Sequence, residues 1–219
     1  MLPSKKLWQA VLEERHGREL QRRFSAATVA VCGLGGLGSH IAPTLARAGV
    51  GRLLLFDFDR VELSNLHRQQ YSVSQIGRYK TEALAESIRE IAPYTETILH
   101  TVRLTSENAV QLLRKADVVC EAFDDPVCKS MLAEAILCGL SKPVLVAASG
   151  MAGLGSGNRI RMRKVTERFY LCGDEVSAVT EQTCLFASRV MLCAAQQAHT
   201  VLRVLAGQIH MERGNSDET

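Results

Sequence analysis

The residues with the most obvious chemical use are a glycine-rich turn and an acid in the first third of the chain. Gly33, Gly35 and Gly38 belong to the sequence GLGGLGS at 33–39, which follows an apolar β-branched run. Asp57 ends the next apolar run, about 20 residues further on. Such a turn lets phosphate approach the backbone, and an acid at that spacing holds ribose hydroxyls. Taken alone, the two features favour a nicotinamide or flavin enzyme.

The polar segment from Asp57 to Gln69, DFDRVELSNLHRQ, changes that interpretation. Asn65 and Arg68 follow the ribose acid closely, and Lys80 opens a predicted helix soon after them. Two cations placed in this way converge on a polyphosphate, and a nicotinamide enzyme has no use for them. The glycine turn and this segment together predict ATP, with its phosphates held for attack.

A third polar group, EAFDD at 121–125, follows a later apolar run. Its Asp124 is expected at the carboxyl edge of the sheet, where a carboxylate can hold Mg²⁺. The alternative is that Asp124 caps the next helix and that Lys80 lies on a solvated helix face. Their expected convergence with Arg68 at one sheet edge favours the functional interpretation.

Alternating strand and helix signals predict an α/β fold. Strands are predicted at 28–34, 52–56, 95–102, 117–122, 144–148 and, half exposed, 158–164. Helices are predicted within 4–24 and at 39–48, 80–91, 107–114, 127–140 and 185–205. This order is typical of a doubly wound, Rossmann-like, mostly parallel sheet, here with antiparallel strands in the C-terminal part. Ligands bind such sheets at the carboxyl ends of the strands.

The 219 residues fit one large domain with a short extension at either end. Residues 1–26 are expected to form an N-terminal helical segment, 27–206 an ATP-binding domain and 207–219 a frayed polar tail. The stretch 172–183 is polar and has no hydrophobic period. A loop is therefore expected to cross the domain before the last helix.

Composition disfavours several classes of partner. The formal net charge is +3, from 26 basic and 23 acidic residues, which is too balanced for the basic surface of a nucleic-acid-binding protein. There is no apolar signal core at the N-terminus and no apolar stretch of ~20 residues, so a cytoplasmic protein without membrane contact is expected. The seven cysteines form no Cys-x-x-Cys pair, which predicts mostly reduced core residues and no structural zinc.

The ordered motifs resemble those of the ubiquitin-activating-enzyme-like adenylyltransferases, and the resemblance extends over most of the chain. After GLGGLGS comes DxDxVxxSNLxRQ, then Ile76-Gly77 with Lys80, then Asp124. The long motif is formed by Asp57, Asp59, Val61, Ser64, Asn65, Leu66, Arg68 and Gln69. The chain is most similar to the short ThiF branch, through ERHG at 14–17, NLHRQQY at 65–71, EAFDD at 121–125 and AASGMAG at 147–153. One departure is Asp125, where the family usually has Asn, and this change could alter metal affinity.

The resemblance implies that ATP and Mg²⁺ serve to adenylate a ubiquitin-like sulfur carrier that ends in Gly-Gly, a ThiS-like protein of thiamin thiazole biosynthesis. The carrier's terminal carboxylate would attack the α-phosphate and release pyrophosphate. Arg68, Lys80 and Mg²⁺ at Asp124 would supply positive charge, while Asp57 and Asp59 would orient the ribose. Asn65 and Gln69 would hold phosphate oxygens. The full set of further residues in the implied nucleotide site is Gly33, Gly35, Gly36, Gly38, Ser64, Asn65, Leu66, His67 and Gln69.

The resemblance also concerns the partners of the chain. Arg15 matches an arginine of the family's N-terminal helix that reaches into the partner subunit, so a homodimer is expected. Neighbouring arginines are alternatives for this role: Arg18, Arg22 and Arg23. Cys172 and Cys184 flank a loop that in some relatives carries a cysteine joined covalently to the carrier, although a partly buried structural cysteine is the commoner case.

Several functions remain open at this point. Besides ThiS-like carriers, the substrate could be a molybdopterin-type carrier, or a tRNA carboxylate, although a charge of +3 does not suggest a tRNA-binding surface. An NAD-dependent oxidoreductase would use the same glycine turn but not Arg68 and Lys80. A catalytically silent binding subunit would not need Asp124. The identity of the carrier is not readable from this chain.

Overall fold

The computed structural model describes residues 2–208. Its strands are β1 (Thr28–Cys32), β2 (Arg52–Phe56), β3 (Glu96–His100), β4 (Val118–Glu121), β5 (Val144–Ala148), β6 (Arg161–Thr166) and β7 (Phe169–Gly173). They form one sheet in the order β3-β2-β1-β4-β5-β7-β6. The α-helices are α1 (Lys5–His16), α2 (Arg18–Ala26), α3 (Gly38–Arg47), α4 (Lys80–Ile91), α5 (Ala109–Leu113), α6 (Pro126–Leu137) and α7 (Ala187–Ala206).

The central strands are buried on both faces because their sequences are almost wholly apolar. In β1, TVAVC, every residue is buried, and alternate side chains enter two separate cores. Val29 and Val31 share one core with residues of α3, α4 and α7. Ala30 and Cys32 share the other with residues of α5 and α6. Burial on both faces is typical of parallel strands covered by helices.

The fold predicted from the sequence is confirmed. β1 pairs in parallel with β2 on one side and with β4 on the other, while β6 and β7 are antiparallel. The strand order reverses between β1 and β4, which makes this the switch point of the doubly wound sheet. The glycine-rich turn follows β1, so it lies at the crevice where such sheets bind ligands.

Strand β7 is the element that the sequence pattern did not predict. It lies between β5 and β6 and includes the first two residues of the expected loop at 172–183. Pairing with a strand on each side stabilises its short run, FYLCG. The strand predicted at 158–164 begins only at Arg161, because 157–159 form a 3₁₀ turn.

The N-terminal helices lie at the amino ends of the strands, opposite the glycine turn. Phe24 of α2 is buried, whereas no residue of α1 is fully buried. A cavity of about 370 Å³ separates α1 from the sheet, with Trp8, Thr28, Arg52 and Tyr94 among its lining residues. Because Thr28 and Arg52 begin β1 and β2, α1 covers the amino edge of the sheet.

Other boundaries agree with the sequence-based prediction within a few residues, and α4 has the predicted bounds. Of the predicted polar tail at 207–219, residues after 208 lie outside the described part of the chain. Within residues 2–208 no helix is long and apolar enough to cross a membrane.

Candidate nucleotide site

A cavity of about 690 Å³ opens at the carboxyl edge of the sheet, at the ends of β1, β2, β4 and β5. Most predicted site residues line it: Gly33, Gly35, Gly36, Asp57, Asp59, Asn65, Arg68, Gln69, Lys80 and Asp124. The remaining predicted residues are not part of its lining: Gly38, Ser64, Leu66, His67 and Arg15. The fold therefore gathers the glycine turn, the acids and two of the cations at one place.

The turn between β1 and α3 is built from close backbone approaches. Gly33 has φ of +91°, and a Cβ atom there would lie 2.7 Å from the Ala122 carbonyl oxygen. A Cβ atom on Gly38 would overlap the Gly33 carbonyl, so Gly38 serves the packing of the turn. Within residues 2–208 the N–H groups of Gly35, Gly36 and Leu37 have no backbone acceptor. Unpaired N–H groups ahead of a helix favour an anion.

Asp57 connects this turn to the acidic side of the cavity. Its Oδ2 accepts a hydrogen bond from the Leu34 N–H at 2.7 Å, and its Oδ1 accepts one from the Asp59 N–H at 2.8 Å. Lys80 Nζ lies 2.9 Å from Asp59 Oδ2 and 4.0 Å from Asp57 Oδ2. Burial raises the pKa of the Asp57 carboxyl, and Lys80 and the two N–H groups partly oppose that rise. The cavity thus contains a buried acid beside a buried cation.

The segment after Asp57 is fastened to the glycine turn by specific hydrogen bonds. The Gln70 N–H donates to Ser39 Oγ at 3.0 Å. The Tyr71 hydroxyl donates to the Leu34 carbonyl at 2.8 Å. These bonds place the preceding residues, Arg68 and Gln69, directly beside the turn.

Arg68 and Gln69 contribute side-chain groups that the described chain does not fully satisfy. Cβ atoms built on Gly36 and Gly35 would lie 3.9 Å from Arg68 Cγ and 3.6 Å from Gln69 Nε2. Within the described chain the Arg68 guanidinium has no carboxylate partner, and it donates to the Ser64 carbonyl at 3.2 Å. The Gln69 side chain is buried, and its Oε1 has no hydrogen-bond partner there. A guanidinium without an acidic partner and unpaired N–H groups that line one cavity together suit a polyphosphate.

The neighbouring predicted residues instead stabilise the local turn. Asn65 Oδ1 accepts from the Glu62 N–H at 3.1 Å in a capping box, although Asn65 also lines the cavity. Ser64 Oγ donates to the Glu62 carboxylate at 3.0 Å, and His67 Nδ1 lies 2.9 Å from the Ser64 carbonyl. Leu66 is half-buried on the same turn. The structure therefore places Ser64, Leu66 and His67 on this turn, outside the cavity lining.

Two adjacent acids after β4 have different surroundings. Asp125 Oδ1 accepts from the Val127 N–H at 2.8 Å, and Pro126 occupies the first turn of α6, so Asp125 is the N-cap. The alternative in which Asp124 caps this helix is wrong. Asp124 is exposed at the cavity, and within residues 2–208 its carboxylate has no hydrogen bond or ion pair. Such a carboxylate fits Mg²⁺, which binds through one or two carboxylates together with water and phosphate oxygens.

Two further charged residues in the cavity were not predicted. The Arg103 guanidinium lies 4.6 Å from the centre of the Phe58 ring, and Arg103 lines the cavity. Because Arg103 follows the carboxyl end of β3, its position in the sequence was an indication that it belongs to the site. Lys129 Nζ lies 3.0 Å from each carboxylate oxygen of Glu121 and 3.0 Å from the Ala148 carbonyl. Burial raises the pKa of Glu121, and Lys129 opposes that rise. The Lys129 ammonium is therefore already bound to protein oxygens, whereas the Arg103 side chain is exposed.

The cavity wall on the β5 and β7 side is formed largely by two loops. Residues 149–152 follow β5, and residues 177–179 belong to the segment after β7. This wall lies across the switch point from Lys80, because β5 and β7 are on the other side of β4 from β2.

The remaining predicted residues lie elsewhere. Arg15 is exposed on α1, at the amino edge of the sheet. Cys172 is fully buried in β7, whereas Cys184 is exposed before α7. In the part of the chain that the structure describes, no group of three or more His, Cys, Asp or Glu residues could hold a metal ion.

Comparison with known proteins gives the same family as the motifs. Residues 9–217 match the ThiF family. The chain belongs to the ThiF family. The resemblance drawn from the glycine turn, the 57–69 segment, Lys80 and Asp124 is therefore confirmed.

This ThiF-family protein is similar to proteins that are named adenylyltransferases. The adenylyltransferase and sulfurtransferase MOCS3 of Aedes aegypti is 38% identical over 144 residues, which cover 65% of this chain and 32% of the relative. The sulfur carrier protein adenylyltransferase of Thermus thermophilus is 38% identical over 133 residues, which cover 60% of this chain and 49% of the relative. The matched regions are thus about a third to a half of these relatives.

A solved structure shows the same fold. It is the E. coli tRNA N6-threonylcarbamoyladenosine dehydratase TcdA in complex with ATP, with a TM-score of 0.82 and 20% identity. The match covers 97% of this chain and 100% of that chain. At this identity the likeness concerns the arrangement of helices and strands alone.

Proposed function

We propose that this protein transfers AMP from ATP to the C-terminal glycine of a ubiquitin-like sulfur carrier, of the ThiS type used in thiamin thiazole biosynthesis. The observation that carries the proposal is that Arg68, which has no acidic partner in the described chain, lines the same cavity as Gly35 and Gly36, whose N–H groups have no backbone acceptor there. Lys80 and Asp124 line the same cavity. A site with these charges suits a polyphosphate that undergoes attack. The names of the curated relatives support the same reaction class.

The reaction brings two anions together. A carboxylate oxygen of the carrier's terminal glycine forms a bond to the α-phosphorus, the bond to the bridging oxygen breaks, and pyrophosphate leaves with the electron pair. Arg68 and Lys80 offset the charge on the phosphates, and the N–H groups of the turn hold phosphate oxygens. Asp57 fixes the turn through the Leu34 N–H, and it would orient the ribose. Holding both reactants in one cavity supplies proximity and orientation.

The surroundings of Asp124 fit a magnesium ion that arrives with ATP. Its carboxylate has no protein partner in the described chain and lies at the cavity, while the neighbouring Asp125 is used as a helix cap. Bound there, Mg²⁺ would neutralise phosphate charge. We also expect no structural zinc, since the cysteine spacing provides no ligand pair, and metal analysis of the purified protein tests this.

The position of α1 supports a homodimer in which Arg15 serves the partner's site. Arg15 is an exposed residue of α1, the helix that covers the amino edge of the sheet, whereas the cavity opens at the carboxyl edge. A strand of five residues such as β2 spans roughly 16 Å, more than an arginine side chain can reach. Contact between Arg15 and bound ATP would therefore have to come from a second subunit.

We further propose a cytoplasmic location, because the seven cysteines are free and reducing compartments keep thiols in that form. The carrier test is ATP–pyrophosphate exchange with ThiS-type and molybdopterin-type carriers, each compared with a version that lacks the last glycine. Exchange with full-length ThiS alone is expected. Exchange only with the molybdopterin-type carrier would reassign the substrate, and tight NADH binding without ATP binding would overturn adenylation.

A further inference from the structure

Arg189, in the first turn of α7, is an enclosed cation that joins three parts of the chain. Its side chain is 5% exposed, and that of Asp174 is 4% exposed. Arg189 Nη2 donates to Asp174 Oδ2 at 2.8 Å, and Nη1 donates to the Ala152 carbonyl at 2.6 Å. One guanidinium thus connects the loop after β5, the loop after β7 and the start of α7.

Asp174 extends this connection into its own loop. Its Oδ1 accepts from the N–H groups of Val176 and Ser177, at 3.1 and 2.8 Å, and from the Ser177 hydroxyl at 2.9 Å. Burial would raise the pKa of the Asp174 carboxyl, but these hydrogen bonds and Arg189 lower it overall. The carboxylate stays charged and orders the turn that follows it.

The surrounding backbone is shaped to admit the pair. Gly150 has φ of +81°, and a Cβ atom there would overlap Asp174 Oδ1. A Cβ atom on Gly155 would lie 3.2 Å from Arg189 Nη1. The Asp174 N–H also donates to the Gly150 carbonyl at 2.9 Å. The two loops are therefore packed around the ion pair and around each other.

These loops supply the β5 and β7 side of the cavity wall, residues 149–152 and 177–179. Neither Arg189 nor Asp174 is part of the cavity lining, so any influence on a reactant acts through the wall. Lys80 and the glycine turn lie on the other side of the switch point, after β2 and β1. The pair is thus placed to affect the β5 and β7 side of the cavity wall.

We propose that the Arg189–Asp174 pair is a positioning latch: it fixes the wall formed by 149–152 and 177–179 against which the peptide tail of the carboxylate-bearing substrate lies. This inference rests on the proposed adenylation for the identity of the reactant. The effect on the wall itself does not depend on that identity. Loss of the latch should therefore make the loop that contains 177–179 more mobile and weaken binding of the carboxylate-bearing substrate. Binding of ATP should persist.

The first test is protection of the loop from a glutamate-specific protease, with cleavage after the exposed Glu181 followed by mass spectrometry. Arg189→Met should speed this cleavage about tenfold or more, whereas ATP affinity should change less than about threefold. Arg189→Lys should fall between, because one ammonium cannot hold both Ala152 and Asp174 in the same geometry. The matched control is Arg163→Met, which removes the exposed Arg163–Glu175 pair and should leave cleavage after Glu181 unchanged.

The second test uses steady-state kinetics with the carrier. The latch predicts that KM for the carrier rises about tenfold or more in Arg189→Met and Asp174→Asn, with KM for ATP nearly constant. Unchanged protection from the protease would contradict the proposed latch. A parallel rise in the KM values for the carrier and for ATP would also contradict it. If Arg189→Met does not fold, Arg189→Lys and Asp174→Asn decide by the same criteria. If no carrier is adenylated even by the parent protein, the proposed function fails, and the latch is judged by protection and ATP affinity.

Discussion

The Lys80 ammonium lies 2.9 Å from Asp59 Oδ2, although the Lys80 side chain is 7% exposed and that of Asp59 is 50% exposed. The acid therefore fixes a desolvated cation at the cavity while its own outer side remains in water. A polyphosphate that enters meets a cation that is already oriented. Less side-chain freedom is then lost on binding.

Replacing Lys80 should separate catalysis from folding. Lys80→Met is expected to lower ATP–pyrophosphate exchange by about 100-fold or more, the scale reported for loss of one electrostatic contact to a developing charge. The exposed Lys115, ahead of β4, supplies the control Lys115→Met, which should keep full exchange. Urea unfolding monitors the fold of both variants. Exchange by Lys80→Met within about threefold of the parent would contradict a role at the phosphates.

The two acids after β4 should show opposite behaviour. Asp124→Asn is expected to need far more Mg²⁺ for exchange and to keep the parent's Tm, because its carboxylate has no partner in the described chain. Asp125→Ala is expected to lower Tm through loss of the N-cap of α6 and to keep its Mg²⁺ dependence. A Mg²⁺ titration and thermal unfolding measure both effects. If Asp124→Asn lowered Tm and left the Mg²⁺ requirement unchanged, the proposal that Asp124 binds Mg²⁺ would be wrong.

The sequence predicted the nucleotide half of the site because its residues are close along the chain. The turn at 33–39 and the segment 57–69 each form a local structure, and parallel strands bring them to one edge. The distinction between Asp124 and Asp125 was also readable, since Pro126 favours the first helical position and makes the preceding residue the cap.

The other half of the site could not be predicted, because it depends on pairing between distant segments. The buried Asp174 and Arg189 belong to a stretch without hydrophobic period and to an apolar helix, and nothing in either pattern indicates that they meet. Strand β7 was also missed, and it is held in the sheet by pairing with β5 on one side and β6 on the other.

The stability of the fold should depend on pH through Asp174. Its pKa is lower in the folded protein than its ordinary value near 4, so the carboxylate contributes stability above that value and loses it as pH falls toward the folded pKa. The difference in unfolding free energy between parent and Asp174→Asn should be about 3 kcal/mol at neutral pH, as for a broken buried pair. Urea unfolding should show this difference unchanged down to about pH 5 and shrinking below about pH 4. A constant difference through the acid range would contradict the charged pair.

The control for that experiment is the exposed partner of Arg163. Glu175→Gln removes an ion pair of similar length, 2.7 Å, whose side chains are 52% and 42% exposed. Water screens such a pair, so its loss should leave stability nearly unchanged at every pH. If Glu175→Gln and Asp174→Asn behaved alike, burial would not be the cause of the Asp174 effect.

The last prediction concerns Arg15, whose place at the amino edge prevents it from reaching the cavity of its own subunit. In the proposed homodimer, the Arg15→Ala variant should bind ATP and adenylate poorly, and the Asp124→Ala variant should also be nearly inactive. Subunit exchange between the two inactive proteins should rebuild one site per mixed dimer, with Asp124 from one chain and the arginine from the other. If the two sites are independent, such a dimer should recover up to about half of the parent's activity. Inactive mixed dimers, verified by native mass spectrometry, would exclude Arg15 as the residue supplied across the interface and direct the same test to Arg18 and Arg22.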